Sequence, residues 1–149
     1  MSVSVEIREA RKEDLFGLLK LYQYLGDNPV PAESAELDAL WSRILDDPDI
    51  HPIVLVEEGT VTASCTVTII PNLTHSGRPY AIVENVVTHP DHNGKGFGTA
   101  VLDHAKELAK AENWYKIMLC TSSKAERTLN FYRHAGYESE TKTAFYQKL

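Results

Sequence analysis

The stretch Asn93-Gly94-Lys95-Gly96-Phe97-Gly98-Thr99 carries the strongest chemical signal in this 149-residue chain. Three glycines at alternating positions let the backbone approach a ligand closely. First-turn amides of a helix starting there, aided by its dipole, make an anion site that suits a pyrophosphate. The run lacks the G-K-[ST] ending of a P-loop and the G-x-G-x-x-G spacing of a dinucleotide fingerprint. A tight glycine turn without a ligand is the competing reading. Glu84 is the second candidate, standing with Asn85 inside the otherwise apolar run Ala81-Ile82-Val83-Glu84-Asn85-Val86-Val87. A carboxylate there costs energy unless it is solvated, paired or protonated, which predicts a cleft-facing side chain with a raised pKa. A structural carboxylate bonded to nearby amides or to Arg78 is the alternative. The loop from Asn72 to Arg78 offers acceptor contacts: Arg78 suits a substrate carboxylate or phosphate as a bidentate partner, or is a solvated loop arginine. His89 and His92 are three apart with no third ligand in view, so no metal is expected. Cys120 has no His or Asp placed by sequence to activate it.

These residues need elements to hold them. Val3, Val5 and Ile7 alternate with polar neighbours, the period-2 pattern of a strand. Leu15, Leu18, Leu19, Tyr22 and Leu25 recur at helical spacing over Lys12 to Tyr24, and Gly26-Asp27-Asn28-Pro29 ends the run. A second helix is predicted over Ser34 to Leu45. Pro52 to Glu57 and Thr60 to Ile70 form a hairpin about Glu58-Gly59. Tyr80 to Thr88 reads as a central strand covered on both faces. Val101, Leu102, Ala105, Leu108 and Ala109 share a stripe of a helix over Phe97 to Lys110. Tyr115 to Leu119 is another strand, Ala125 to His134 a helix closed by Gly136, and Thr141 to Leu149 a last strand holding Phe145 and Tyr146. The order predicts an α/β (α+β) domain, 1–149, with a mixed, mostly antiparallel sheet of six to seven strands and helices on both faces.

Composition excludes several classes. Hydrophobic residues at 43% and charged residues at 24% match an ordinary globular chain rather than a disordered or fibrous one. A net charge of −6 provides no basic stripe, so nucleic acid is not an expected partner. An acidic surface suits a cationic small substrate better. Met1 to Ala10 lacks the apolar core of a signal peptide, and no run approaches a membrane span. Cys65 and Cys120, both in apolar β-branched surroundings, are expected as reduced, buried thiols of a cytoplasmic protein.

Val86-Val87-Thr88-His89-Pro90 followed by N-G-K-G-F-G-T-A resembles the acetyl-coenzyme A motif of the GNAT superfamily of N-acetyltransferases, whose pattern is Q/R-x-x-G-x-G/A. Leu129-Asn130-Phe131-Tyr132-Arg133-His134-Ala135-Gly136-Tyr137 resembles the superfamily's later aromatic segment. Ile82-Val83-Glu84-Asn85 and Tyr115-Lys116-Ile117-Met118-Leu119 are most similar to glucosamine-phosphate N-acetyltransferases. The resemblance implies the GNAT fold and acetyl-CoA as cosubstrate, in a V-shaped opening between the strand ending at Thr88 and the strand Tyr115 to Leu119. It places pantetheine on the backbone near Val86 and Val87, whose amides also serve as oxyanion donors. The pyrophosphate falls on Asn93, Gly94, Lys95, Gly96, Phe97, Gly98 and Thr99. A primary amine must lose a proton before attack, which makes Glu84 the candidate base, and the resemblance makes Tyr132 the general acid. A core aromatic is the other reading of Tyr132. Asn93 stands where relatives usually have Arg or Gln. Ala125 replaces an Asn near the pantetheine, with Ser122 or Ser123 as substitutes, and Cys120 and Thr121 stand where glucosamine-phosphate enzymes have a carboxylate. The expectation is direct transfer to a small primary amine, with an amino sugar phosphate among the acceptors, in a homodimer. The rivals are a protein or peptide N-acetyltransferase and a non-catalytic CoA-binding module.

Overall fold

The computed structural model describes residues 2–149; Met1, the first residue of the stretch read for a signal peptide, lies outside them. β1 (Val5–Glu9) is the outer strand of the sheet, which is why the alternation begun by Val3 and Val5 is only half used and Val5 stays 46% exposed. The first amphipathic run forms a 3-10 turn, then α1 (Leu15–Tyr22), then a second 3-10 turn over Gln23–Leu25. α2 (Ala35–Asp46) starts at Ser34, whose hydroxyl accepts the Leu37 amide at 3.1 Å. β2 (Ile50–Glu57) and β3 (Thr60–Ile70) meet through Glu58 and Gly59, both left-handed, as a two-residue hairpin requires. α3 is a single turn over Thr74–Gly77 in which His75 and Ser76 are left-handed. β4 (Tyr80–Thr88), α4 (Phe97–Ala111), β5 (Ile117–Leu119) and α5 (Glu126–His134) complete the elements.

The sheet order is β1-β2-β3-β4-β5. The first three pairings are antiparallel; β4 and β5 are parallel, and α4 supplies the crossover that parallel neighbours need. One face packs Ile53, Leu55, Cys65, Val67, Ala81 and Val83 against Val101, Leu102, Ala105 and Ala109 of α4. The other face presents Val54 to Leu15 and Leu18 of α1 and Trp41 of α2. Helices therefore cover both faces, as expected.

The strand count is lower than expected: five, not six to seven. Thr141 to Leu149 has the composition of a strand, yet it runs without pairing, leaving Phe145 95% and Tyr146 86% exposed. A strand exists only against another strand, and the described residues give this one none. The cysteines also separate: Cys65 is buried, donating to the Val101 carbonyl oxygen at 3.6 Å, whereas Cys120, just beyond the short β5, is exposed.

Candidate active site

The site begins with an irregularity in β4. Thr66 pairs with Glu84, but Ser64 pairs with Val87, so Asn85 and Val86 together face the single Cys65. Asn85 has φ of 54°, a left-handed conformation that asparagine tolerates better than most side chains. The extra residue forms a bulge, which bends and twists its strand. Pairing of β4 with β5 covers only Ala81–Val83 against Ile117–Leu119 and stops just before the bulge. Beyond it lies a cleft of about 500 Å³ lined by Val86, Val87, Thr88, His92, Asn93, Gly94, Gly96, Phe97, Gly98, Thr99, Arg127, Thr128, Phe131 and Tyr132.

The glycines divide into two kinds. Gly94 and Gly96 have φ of 83° and 80°, with nothing within 4 Å of where a Cβ would stand, so they fix the loop's path. Gly98 lies inside α4, and a Cβ there would come within 2.9 Å of Phe131 Cζ and 3.1 Å of Thr88 Oγ1. Its role is to let α4 meet α5 and β4 closely. The start of α4 has no side-chain cap and no acidic residue in its first turn. Its amide donors and positive dipole end thus remain open to an external anion.

Opposite the loop, Tyr132 projects from α5 into the cleft. Burial pushes its phenol above the ordinary value, and Cys65 and the Glu84 carboxylate add to the rise. A phenol held up in this way remains a proton donor at neutral pH. Glu84 is exposed just before the bulge, beside exposed Asn85, and does not line the cleft. Tyr22 of α1 approaches the same bulge: burial pushes its phenol up, while neighbouring Thr66, Ser64 and Asn85 pull against the rise.

The profile of the Acetyltransferase (GNAT) family matches residues 14–137. The chain belongs to the GNAT acetyltransferase family. It is an acetyl-transferring enzyme. Glucosamine 6-phosphate N-acetyltransferase of Trypanosoma brucei brucei is 29% identical over 142 residues, 92% of this chain and 91% of that one. A structure from Agrobacterium tumefaciens described as an acetyltransferase superposes with a TM-score of 0.90 at 38% identity, covering 97% of this chain and 99% of the other. Glucosamine-6-phosphate N-acetyltransferase from Arabidopsis thaliana shares the fold, with a TM-score of 0.82 at 21% identity over 97% and 98% of the two chains.

Within this GNAT cleft the structure gathers Val86, Val87, Asn93, Gly94, Gly96, Phe97, Gly98, Thr99 and Tyr132. Lys95 does not line it; its ammonium turns to Glu57 at 3.2 Å. Ser123 does not line it either, and its hydroxyl accepts the Ala125 amide at 3.2 Å, just ahead of α5. Asn72 and Arg78, expected to hold the acceptor, lie at the opposite end of β4. Asn72 Nδ2 donates to Thr74 Oγ1 at 2.7 Å, and Arg78 donates to the carbonyl oxygens of Asn113 and Trp114, both at 3.1 Å. Their donors close a loop and tie down the chain after α4. His89 accepts the Asp91 amide through Nδ1 and faces Tyr24 Oη at 3.2 Å through Nε2. Among the described residues no group of three or more His, Cys, Asp or Glu is arranged to hold a metal.

Five lining residues lie outside the predicted site: Thr88 and His92 beside the loop, and Arg127, Thr128 and Phe131 on α5. The signal for the α5 residues was present in the i, i+4 spacing of Arg127 with Phe131 and of Thr128 with Tyr132, which puts all four on one face of α5.

Proposed function

We propose that this GNAT enzyme uses acetyl-CoA to acetylate a small primary amine of the amino sugar phosphate class by direct attack. The observation that carries the reading is the uncapped start of α4, with left-handed Gly94 and Gly96, opening into the same cleft as Tyr132. The amides of Gly94 to Thr99 suit the pyrophosphate, Arg127 stands at the rim as a countercharge, and the backbone of Val86 and Val87 suits pantetheine. Acetyl-CoA supplies an acetyl thioester. The acceptor nitrogen forms a bond to the carbonyl carbon while an amide near Val86 or Val87 steadies the oxyanion. As the carbon–sulfur bond breaks, Tyr132 protonates the leaving thiolate, and the proton shed by the new amide nitrogen returns to the Tyr132 phenolate. An alkylammonium with a pKa of about 10 must first give up a proton, and exposed Glu84 accepts it through water.

The amino sugar phosphate class rests on the likeness to the trypanosomal relative. A homodimer is part of the proposal, supported by the unpaired, apolar segment around Phe145, Tyr146 and Leu149. A cytoplasmic setting, where the thioester is available and thiols stay reduced, completes it.

The test is thiol release from acetyl-CoA across glucosamine 6-phosphate, polyamines, amino acids and peptides, with Tyr132→Phe beside the native protein. Turnover with the amino sugar phosphate, reduced about a hundredfold in kcat by the substitution, is the expected result. Turnover of peptides alone would replace the acceptor, and coenzyme A binding without turnover of any amine would remove the catalytic assignment.

A further inference from the structure

Glu57 is the last residue of β2, far in sequence from the glycine loop, and its side chain is only 12% exposed. One carboxylate oxygen, Oε2, lies 2.6 Å from His92 Nδ1; the other, Oε1, lies 3.2 Å from Lys95 Nζ. An ionised carboxylate can only accept, so Lys95 donates to Glu57; the same ammonium lies 3.1 Å from His92 Nδ1, and the three side chains meet at one point. His92 and Lys95 bracket Asn93 and Gly94, and Gly96 follows directly. A single carboxylate thus clasps the loop on both sides of its first left-handed glycine. The His92 ring stacks on Phe97 at 6.0 Å between centroids, and the Lys95 ammonium sits 5.6 Å from the same ring. Phe97 is the first residue of α4, so the clasp reaches the helix start itself.

We propose that Glu57 is a positioning residue for the cosubstrate: by holding His92 and Lys95, it presets the loop whose amides receive the pyrophosphate. This rests on the reading of the glycine loop as the pyrophosphate site. Two glycines with φ near 80° give the loop many conformations when it is free, and each is lost when an anion binds. Fixing the loop beforehand moves that entropy cost out of the binding step. The clasp also directs the Lys95 charge onto Glu57 rather than onto the ligand.

That division of labour predicts a sign. If Lys95 held the phosphates directly, Glu57→Gln would free the ammonium and lower the KM for acetyl-CoA. As a positioning residue, Glu57 gives the opposite result: Glu57→Gln raises that KM about fivefold and leaves kcat within about twofold. The experiment compares native protein, Glu57→Gln and Lys95→Met with acetyl-CoA and with S-acetylpantetheine, which has the thioester but no pyrophosphate. The expected outcome is a higher KM in both variants for acetyl-CoA only, with the double variant no worse than the poorer single one. An unchanged or lower KM in Glu57→Gln overturns the proposal, as does an equal rise for both thioesters, the mark of general loosening. If native protein itself handles the two thioesters alike, the pyrophosphate site fails and this inference falls with it. Should Glu57→Gln not fold, Glu57→Asp carries the same comparison, because the shorter side chain opens the clasp and leaves Lys95 in place.

Discussion

The two ends of β4 are about 26 Å apart along the strand, and they treat polar groups in opposite ways. At the Tyr80 end, Arg78 and Asn72 spend their donors on carbonyl and hydroxyl oxygens of their own chain. At the Thr88 end, α4 begins with open amides, and the phenol of Tyr132 faces a cleft. Both ends have the residue types that bind anions. Only the second leaves them free to do so. A guanidinium or amide side chain suggests a site by its chemistry; its existing partners decide whether one exists.

The largest effect that sharpens this contrast is expected at Gly98. With Phe131 Cζ 2.9 Å from the added carbon, Gly98→Ala forces α4 and α5 apart and costs about 1–3 kcal/mol in urea unfolding, with loss of acetyl transfer. A variant as stable as the native protein would show that the cleft end is not closely packed. A smaller effect is expected at the other end: Arg78→Met leaves the Asn113 and Trp114 carbonyls without their donor and costs about 1 kcal/mol, while the KM for the amine stays the same. A raised amine KM would return Arg78 to the acceptor site and break the comparison. The smallest concerns pH. Burial pushes the Cys65 thiol and the Tyr137 phenol each up to about 12, above their unfolded values of 9.0 and 10.0. The native state therefore holds these protons longer than the unfolded chain does. Their stabilising contribution is complete below pH 9 and is lost as pH climbs from there through about 12. Alkaline denaturation followed by circular dichroism should show a gentler decline in Cys65→Ala.

Much of this was legible in the residues. The apolar run of β4, the stripe on α4 and the alternating glycines located the cleft, because each is a local pattern with a local cause. The reading missed what depends on distant partners. Arg78 meets carbonyls 35 and 36 residues away, and no spacing rule announces that. Glu57 meets the glycine loop across 38 residues. The apolar run predicts a cleft-facing Glu84; the structure leaves it exposed and outside the cleft lining, next to a bulge whose only local hint is the asparagine at 85. Thr141 to Leu149 has the right residues for a strand, but strand formation depends on an edge to join.

The narrow attachment of β5 has a mechanical side. Three rungs of parallel pairing hold β5 to the sheet, and β5 leads on to α5, which forms one lip of the cleft, whereas the hairpin of β2 and β3 pairs along almost its whole length. Local opening is cheapest where few contacts must break, so the lip beyond Val83 is the soft corner of an otherwise stiff sheet. A molecule lying between the lips in the closed form and absent from the open one makes that corner harder to unzip, in proportion to its concentration. A thioester bound as proposed would sew this seam shut while it stays and let it loosen once the product has gone.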